Sequence, residues 1–404
     1  MEIEYNDSER ARELSSRVKQ FMDEVVLPAE RGLTPGEPVS DDQVEKLRER
    51  AREYGVYCPQ IDEEYGGMGM NFIDALPAFE QAGRSLLGPP AMRVDAPDEG
   101  NMHTLELVGT DEQKDEWLAP LVAGEIRSAF SMTEPMQGAG SDPKMIQTTA
   151  EKDGDEWVIN GHKWWTSQGS SAEILLVMAR TDPEAHPYNG CSIILVPADT
   201  DGVELLRDIP ALSDDVYEIG HSEIRYDDVR VPVENTLGPE HEGFTVAQQR
   251  LGPARLTHCM RFSGMAERSL EIATTYLTER EAFGSRLADK QTLRHRIADA
   301  HIQIHATRTM VRHAAERIAA GEQARIPVSM SKVYAGNMIQ DVVDLSVQAC
   351  GGAGISKDLP LADFYEGLRF FRIGDGPDEV HRRVIAREAF EHTEPRELDN
   401  LPRF

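Results

Sequence analysis

An aspartate between two glycines stands immediately before a predicted helix near the C-terminus. The segment RIGDGPDEVHRR runs from Arg372 to Arg383 and places Asp375 between Gly374 and Gly376. Pro377 suits the first turn of a helix, so Asp375 lies just ahead of a helix N-terminus, where the dipole favours its carboxylate form. The glycines leave room for a substrate. Asp375 is therefore a candidate general base; the alternative is an aspartate that only caps the helix.

The region from Phe130 to Gln168 has the composition of a binding site for a planar, hydrogen-bonding ligand. It opens with FSMTEPMQGAGSD, in which Gly138 and Gly140 allow the backbone to approach a ligand closely. Three hydroxyl side chains add possible donors: Ser131, Thr133 and Ser141.

Two tight hairpins are predicted in the rest of that region. The stretch from Met145 to Lys152 is predicted to be a strand that turns at Asp153-Gly154 into a return strand, Trp157 to Ile159. The dipeptide Asn160-Gly161 predicts a second turn, into HKWWTSQ. An indole beside Thr166 and Ser167 suits a flavin, and a pair of core tryptophans with surface hydroxyls is the alternative.

Three stretches of different character must position these residues. Residues 1–128 are predicted to be helical, with capping boxes at Ser40–Gln43 and Thr110–Gln113 and a loop from Leu87 to Asn101. Residues 129–240 are predicted to be an antiparallel β domain, because short aliphatic runs alternate with Gly, Pro and Asp. Its further strands are expected at Ile174–Ala179, Ser192–Pro197, Tyr217–Tyr226 and Val229–Val233.

Residues 241–404 return to long helical patterns. The predicted helices are Ala254–Arg280, Gln291–Ala320, Pro327–Cys350 and a last one from Pro377 to about Phe390. Antiparallel helices of this length form a bundle. The fold class is therefore α+β, with a helical N-terminal domain, a middle β domain and a C-terminal four-helix bundle.

The charge of the chain is unusual and excludes some classes of partner. Its 71 acidic and 42 basic residues give a net charge of −29, and Arg outnumbers Lys 33 to 9. A surface this acidic repels nucleic acid and anionic membranes. Such a composition is typical of a halophilic protein, and an ordinary acidic enzyme is the alternative.

The remaining composition indicates a cytoplasmic protein without a metal site. The four cysteines are scattered, with no CxxC or Cys/His cluster, so buried, reduced side chains are expected. The pair His301 and His305 has helical spacing but no acidic or cysteine partner. No apolar run is long enough to span a bilayer, and the acidic N-terminus lacks the features of a secretory signal.

The motifs resemble those of the acyl-CoA dehydrogenase family over nearly the whole chain. TEP…GSD followed by INGHKWW-T-S is similar to the flavin-contacting centre of that family, whose members combine a helical domain, an antiparallel β-barrel domain and a four-helix bundle. The segments DGPDEVH, RLGPARLTHCMR, QACGGAG and APDEGN resemble one subgroup, whose animal members are fused to a phosphotransferase-like domain. No counterpart of that fused domain is expected here.

The resemblance assigns roles to individual residues. Asp375 matches the carboxylate that removes the α-proton of a thioester, although the family commonly has Glu there. Arg255 would orient this base and favour its ionised form. Some members carry the base immediately before that Arg, where this chain has Ala254, so no other carboxylate is expected within reach. Substrate contacts are implied for Ser141, Arg255 and Gly376.

The resemblance also implies a bound FAD. Thr133 would bond the pyrimidine side of the flavin, Trp165 would flank the ring, and Ser167 would lie near N5. Arg280 and Phe283 would contact the FAD of a neighbouring subunit. Pro377 and Glu379 replace residues that usually touch FAD. The full implied set is Phe130, Met132, Thr133, Ser141, Trp165, Thr166, Ser167, Arg280, Phe283, Gln291, Gln348, Gly351, Gly352, Pro377 and Glu379.

The function implied by the resemblance is oxidation of an acyl-CoA thioester to trans-2-enoyl-CoA by a homodimer or homotetramer. Electrons would pass to an electron-transfer flavoprotein. Two alternatives remain on the same fold: a flavin oxidase that reacts with O₂, similar to nitroalkane oxidases, and a non-catalytic binding protein.

Overall fold

The N-terminal third of the protein is helical, as predicted. The computed structural model describes residues 3–33, 39–212 and 220–391. A π-helical segment, Met22–Val26, joins α1 to α2, and another, Lys114–Leu118, joins α7 to α8. Both predicted capping boxes are confirmed, at Ser40 and at Thr110. The helices are α1 (Glu9–Phe21), α2 (Leu27–Arg31), α3 (Asp41–Glu53), α4 (Phe72–Ala82), α5 (Gly88–Met92), α6 (Asp98–Val108), α7 (Asp111–Gln113) and α8 (Ala119–Ala123).

The loop predicted from Leu87 to Asn101 is wrong, because this segment contains α5 and the start of α6. Its prolines caused the error. Pro89 lies in the first turn of α5 and Pro97 immediately precedes α6. Proline at these positions sacrifices no intrahelical hydrogen bond, so it marks the beginning of a helix here.

The middle domain is built on one eight-stranded sheet with the order β6-β7-β3-β2-β4-β5-β8, in which β1 also pairs with β4. Most pairings are antiparallel, as predicted, but β1 and β2 both pair with β4 in parallel. The strands are β1 (Ser128–Ser131), β2 (Thr149–Asp153), β3 (Glu156–Ser167), β4 (Ile174–Arg180), β5 (Cys191–Pro197), β6 (Val203–Asp208), β7 (His221–Pro232) and β8 (Thr236–Leu237).

The second hairpin turn, predicted at Asn160-Gly161, is wrong. Strand β3 continues through this dipeptide with a register shift between Ile159 and Gly161. Asn160 instead exchanges two hydrogen bonds with Asp228 on β7, each 2.9 Å long. A Cβ at Gly161 would collide with the side chain of Thr148, so glycine serves close packing rather than a turn.

Two further strand predictions need correction. The strand predicted from Met145 begins at Thr149, because Pro143–Met145 forms a 3₁₀ turn. The two predicted strands around residues 217–233 are one strand, β7, and the predicted start at Tyr217 lies outside the described residues.

The C-terminal domain is a bundle of long helices. A small hairpin, β9 (Glu281–Ala282) and β10 (Ser285–Arg286), separates the first two helices. The first helix begins eleven residues before the predicted start, because it accommodates Pro253 in its interior. The short α12 was not predicted. The helices are α9 (Gly243–Glu279), α10 (Gln291–Ala319), α11 (Arg325–Cys350), α12 (Leu361–Leu368) and α13 (Asp378–Glu391).

The topology of the bundle brings distant segments to one end. Successive helices α9, α10 and α11 alternate in direction, so the C-termini of α9 and α11 meet the N-terminus of α10. Ala273, Cys350 and Leu361 form a small apolar cluster there. A larger core joins the N-terminal helices to the bundle, and a separate cluster of buried apolar residues fills the sheet.

All four cysteines are free and buried, as predicted. None of the described helices combines the length and the apolar character that a membrane crossing requires.

The acidic surface leads to a prediction about salt. Exposed ion pairs such as Arg230 with Asp153 and Glu156 each contribute little and are weakened by salt. Repulsion within a chain of net charge −29 is weakened as well, and this effect should dominate. We expect the melting temperature to rise by about 5 °C or more between roughly 0.1 M and roughly 2 M KCl, and activity to rise with it. Equal thermal stability in low and high salt would contradict the halophilic interpretation.

Candidate active site

The turn between α12 and α13 presents Asp375 in an unusual backbone conformation. The N–H groups of Ile373 and Gly374 both bond the carbonyl of Phe370, which closes the preceding turn. Asp375 then adopts φ 54° and Gly376 φ 98°, both in the left-handed region. Such a conformation is strained for a residue with a Cβ, and strained residues concentrate at functional sites.

Basic side chains from two helices surround the carboxylate of Asp375. Burial alone would raise the pKa of this carboxyl group. The His258 imidazole and the Arg255 guanidinium lower the pKa, and Arg250 and Lys332 act in the same direction. The net pKa of Asp375 lies below its ordinary value, so the group is a carboxylate at neutral pH. Its side chain is 23% exposed, which leaves it accessible to a substrate.

Arg255 lies beside Asp375, as the resemblance implied. Its Nε donates to the backbone carbonyl of Asp375 over 2.8 Å. The contact orients the residue through its backbone, while the guanidinium charge acts on the carboxyl group. Ala254 is buried on the same helix, so the alternative base position holds a methyl group.

His258 is a contact of Asp375 that the sequence analysis missed. Its Nδ1 lies 2.7 Å from the carbonyl oxygen of Ala254 and 3.4 Å from Oδ2 of Asp375. Because both neighbours accept, Nδ1 carries the proton. The ring stacks on Phe371 with centroids 5.8 Å apart. Burial, chiefly, lowers the pKa of His258 to about 4, so it is neutral at pH 7. Its position one turn after Arg255 was the available signal.

A second buried carboxylate, Glu99, interacts electrostatically with Asp375, while the expectation that no other carboxylate lies within reach of the substrate stays a prediction. It pairs with Arg261 at 3.6 Å and accepts a hydrogen bond from Thr257 at 3.2 Å. Burial raises the pKa of Glu99, and the charge of Asp375 adds to the rise. Glu99 therefore binds a proton more tightly than Asp375 does, but its side chain is only 6% exposed, so a substrate has less access to it than to Asp375.

Arg250 connects this cluster to the β domain. Its Nε donates to Asn101 over 2.9 Å, and Asn101 donates to the hydroxyl of Ser128 at the start of β1. The guanidinium carbon of Arg250 lies 4.3 Å from the ring centroid of Phe130. The charges of Arg250 and Asp375 also interact, so the same arginine connects the candidate base with Phe130 on β1.

The end of β3 presents a large exposed aromatic surface. Trp165 is 43% exposed and has φ 55°, so a planar group could cover its ring. The hydroxyl of Ser167 is held 2.9 Å from Nδ1 of His221. Thr166 is different, because its side chain is fully buried and its hydroxyl lies 3.2 Å from that of Ser131.

The prediction that Ser131 offers its hydroxyl to a ligand is wrong. The hydroxyl is fully buried and also lies 2.9 Å from the hydroxyl of Tyr226, so it points into the sheet interior. Strand alternation explains this, since Ser131 lies inward while Phe130 lies on the other face. For Thr166, the same burial removes the hydroxyl from contact with a ligand.

The loop after β1 is held by a buried ion pair. The Glu134 carboxylate accepts hydrogen bonds from the backbone of Ala139, Gln147 and Thr148. The ammonium of Lys163 donates to Glu134 over 3.0 Å and to the carbonyl of Met132 over 2.9 Å.

The pair fixes the predicted cofactor residues beside it. The carbonyl of Thr133 accepts from the N–H of Trp164, so Met132 and Thr133 are both tied to β3 next to Trp165. Ser141 lies exposed farther along the loop.

Six of the predicted cofactor residues lie far from Asp375. A helix rises 1.5 Å per residue, so Arg280, which follows the last residue of α9, lies about 38 Å along the axis from Arg255. The N-terminus of α10 and the C-terminus of α11 share that end of the bundle. All six are exposed, and Phe283 is 94% exposed: Arg280, Phe283, Gln291, Gln348, Gly351 and Gly352. They cannot complete the Asp375 site of the same protomer.

The first turn of α13 differs in part from the prediction. Pro377 precedes the helix, and its carbonyl accepts from Val380 and His381. The side chain of Glu379 is 78% exposed and points away from the cluster. Asp378, which was not singled out, is buried and bonded to Lys332 at 3.0 Å, so it anchors the turn that carries Asp375.

Comparison with known proteins identifies the class of this fold and site. Family profiles for acyl-CoA dehydrogenases match the chain in three consecutive stretches: the N-terminal domain over residues 8–125, the middle domain over 129–229 and the C-terminal domain over 241–390. The chain belongs to the acyl-CoA dehydrogenase family, a family of flavoprotein oxidoreductases.

Individual relatives agree with this and with the resemblance to the fused subgroup. The chain is 40% identical to the probable acyl-CoA dehydrogenase FadE2 of Mycobacterium tuberculosis, over 95% of this chain and 96% of that one. It is 38% identical to acyl-CoA dehydrogenase family member 11 of Gallus gallus, over 95% of this chain but 51% of that longer one. A solved acyl-CoA dehydrogenase-type structure from Mycobacterium abscessus superposes with a TM-score of 0.89 at 39% identity, over 96% and 99% of the two chains.

Proposed function

We propose that the protein is an FAD-dependent dehydrogenase that oxidises an acyl-CoA thioester to a trans-2-enoyl-CoA, with Asp375 as the base. One observation carries this proposal: Asp375 combines two groups that the reaction needs. Its carboxylate is ionised at neutral pH and accessible. Its backbone N–H has no acceptor within the described part of the chain, so it is available to a substrate oxygen.

The two groups act on adjacent atoms of a thioester. A hydrogen bond from the Asp375 N–H to the thioester carbonyl increases the acidity of the α-proton, because it stabilises the negative charge that develops on that oxygen. The carboxylate of the same residue accepts the α-proton. Arg255 holds the backbone during this step, and its charge keeps the carboxyl group ionised.

The β-domain wall fits the isoalloxazine ring of FAD. The exposed indole of Trp165 offers a flat surface, and the hydroxyl of Ser167 and the backbone of Met132 and Thr133 lie around it. When bound, FAD supplies the acceptor for the hydride that leaves the β-carbon. Phe130 is joined to the base through Arg250, so the two halves of the site belong together.

We propose further that FAD is shared between protomers of a dimer or tetramer. The six exposed residues at the far end of the bundle supply cofactor contacts to a second copy of the chain. They are Arg280, Phe283, Gln291, Gln348, Gly351 and Gly352. An exposed phenylalanine such as Phe283 contributes little to the stability of its own chain. Its role in FAD binding can therefore be tested by a substitution that does not unfold the protein.

Replacing Phe283 by serine is expected to reduce both the dimer fraction and the FAD content, the latter by roughly tenfold, as for a central aromatic residue of an interface. Phe390→Ser is the matched control, because Phe390 is 82% exposed on α13. Size-exclusion chromatography with flavin absorbance measures both quantities. A monomer that retains stoichiometric FAD contradicts the shared site.

The activity is tested by a screen of acyl-CoA thioesters of different length and branching under anaerobic conditions. Bleaching of the flavin together with formation of a trans-2-enoyl-CoA supports the proposal. An electron-transfer flavoprotein is the proposed acceptor. Rapid reoxidation of the reduced flavin by air identifies an oxidase instead, and failure to retain FAD identifies a non-catalytic member of the family.

A further inference from the structure

The backbone carbonyl of Asp375 accepts two hydrogen bonds from two different helices. Arg255 on α9 donates from Nε over 2.8 Å, and His381 on α13 lies with Nε2 at 3.2 Å. Asp375 is at the same time held at φ 54°, in the left-handed region. Two donors on one oxygen fix the orientation of the peptide that follows Asp375, and with it the direction of a short side chain.

The structure determines which form of His381 makes this contact. The carbonyl can only accept, so Nε2 of His381 carries a proton. Its Nδ1 lies 3.1 Å from the hydroxyl of Ser329 on α11. Burial, chiefly, lowers the pKa of His381 to about 4, so the ring is neutral at pH 7. Nδ1 therefore accepts from Ser329, and this bond fixes the tautomer that donates to Asp375.

Gly376 makes the approach possible. A Cβ at Gly376 would lie 3.1 Å from Nε2 of His381, closer than an ordinary van der Waals contact. The histidine therefore occupies the space that the glycine leaves open. An aspartate side chain is one methylene shorter than that of a glutamate. The position of its carboxylate therefore depends more closely on the position of its backbone.

We propose that His381, as a neutral donor oriented by Ser329, is a positioning residue that holds Asp375 in its left-handed conformation and aims the carboxylate at the substrate. This proposal rests on the role of Asp375 as the base. His381 does not touch the carboxylate and takes no part in proton transfer. It acts by restricting the backbone from which the carboxylate projects.

The proposal has a consequence for the pH dependence of the reaction. Loss of the bond from His381 would free Asp375 to move away from the Arg255 charge, which raises the pKa of its carboxyl group. The charged and titratable groups that electrostatically contact either residue come from four elements: Arg250, Arg255, His258, Cys259 and Arg261 on α9, Lys332 on α11, Glu99 on α6, and Asp375 with His381 at α13.

The test compares His381→Ala, His381→Gln and a remote control, His162→Ala, as purified holoproteins. His162 lies on β3 and contacts Glu223. We expect His381→Ala to reduce the rate of flavin reduction by roughly 10²-fold with KM and FAD content close to wild type, because misplacement of a reacting group acts on the chemical step. The acid limb of its pH–rate profile should move to higher pH, because the pKa of the Asp375 carboxyl group rises. His381→Gln keeps an N–H donor at a similar reach and should recover most of the rate.

Two further measurements do not depend on activity or on a single variant. Hydrogen exchange of the peptide covering residues 369–378, measured without substrate, should be at least ~10-fold faster in His381→Ala than in wild type. Ser329→Ala removes the donor that fixes the imidazole tautomer. It should shift the rate and the acid limb in the same direction by a smaller amount, and it is informative should His381→Ala fail to fold.

The outcomes separate this proposal from the proposed function. Wild-type exchange, rate and pH profile in His381→Ala, or in Ser329→Ala where the first variant does not fold, overturn the positioning role. If Asp375→Asn retains the wild-type rate, the base assignment fails, while faster exchange in His381→Ala still supports the contact with the Asp375 backbone. A lower melting temperature with unchanged rate and pH profile per bound flavin indicates a structural role only.

Discussion

Replacement of Asp375 by asparagine is expected to leave FAD and acyl-CoA binding nearly unchanged and to slow flavin reduction by about 10⁴-fold, the upper end for loss of a general base. Asparagine keeps the size of the side chain and the backbone N–H. It also tolerates the left-handed conformation at φ 54° as aspartate does. What it lacks is a group that accepts the α-proton, and stopped-flow bleaching under anaerobic substrate measures that loss.

Two control variants test whether the loss of rate is specific to the carboxylate of Asp375. Glu99→Gln should reduce the rate far less, because the Glu99 side chain is only 6% exposed and is paired with Arg261. Asp375→Glu should be milder than Asp375→Asn, since it restores the common family residue, although the added methylene crowds a site built around aspartate. A near wild-type rate for Asp375→Asn would show that the base lies elsewhere.

Lys163→Met is expected to destabilise the protein by about 3–5 kcal/mol, because it leaves the buried Glu134 carboxylate without its positive partner. The same change removes the bond to the Met132 carbonyl and loosens the loop that would hold FAD. We therefore expect lower FAD retention together with a lower midpoint in urea unfolding. Adding Glu134→Gln should recover part of the stability, since the buried charge is then removed.

A surface ion pair on the same sheet is the matched control. Arg230→Met removes a cation that contacts Asp153 and Glu156, but all three side chains are between 48% and 67% exposed. Its cost should be below about 1 kcal/mol. If Lys163→Met costs no more than Arg230→Met, the buried pair does not hold this loop.

Glu134 also gives the pair a pH dependence with a defined sign. Burial raises the pKa of Glu134, but Lys163 and the donors from Thr148 and Gln147 more than offset this, and the net pKa is lowered. Its contribution to stability is therefore complete above the unfolded pKa of about 4.3 and is lost as the pH falls through the lower folded value. Lys163→Met should weaken this acid dependence.

The sequence predicted those features that depend on local chemistry. Capping residues identified helices at Ser40 and Thr110, and the motif around Asp375 identified a carboxylate ahead of a helix. Local signals failed where a distant contact decided the structure. Asn160-Gly161 has the composition of a turn, yet Asp228 and Thr148 hold it within a strand.

The surroundings of Asp375 could not be predicted for the same reason. Arg255 lies 120 residues away in the sequence, and the resemblance to a known family, rather than any local pattern, placed it beside the base. His381 carries no distinguishing pattern of its own, and His258 is marked only by its position one turn after Arg255. Their roles depend on which acceptors the packing of α9 against the turn before α13 brings within hydrogen-bond distance.

The most direct test of the central claim is exchange of the substrate α-proton with solvent. The protein is first reduced with dithionite, so that it cannot accept a hydride, and is then incubated with an acyl-CoA in D₂O. If Asp375 is the base, the wild-type protein incorporates deuterium at the α-carbon, as mass spectrometry would show, and Asp375→Asn does not. Equal incorporation by the two proteins, or none by the wild type, would contradict the assignment.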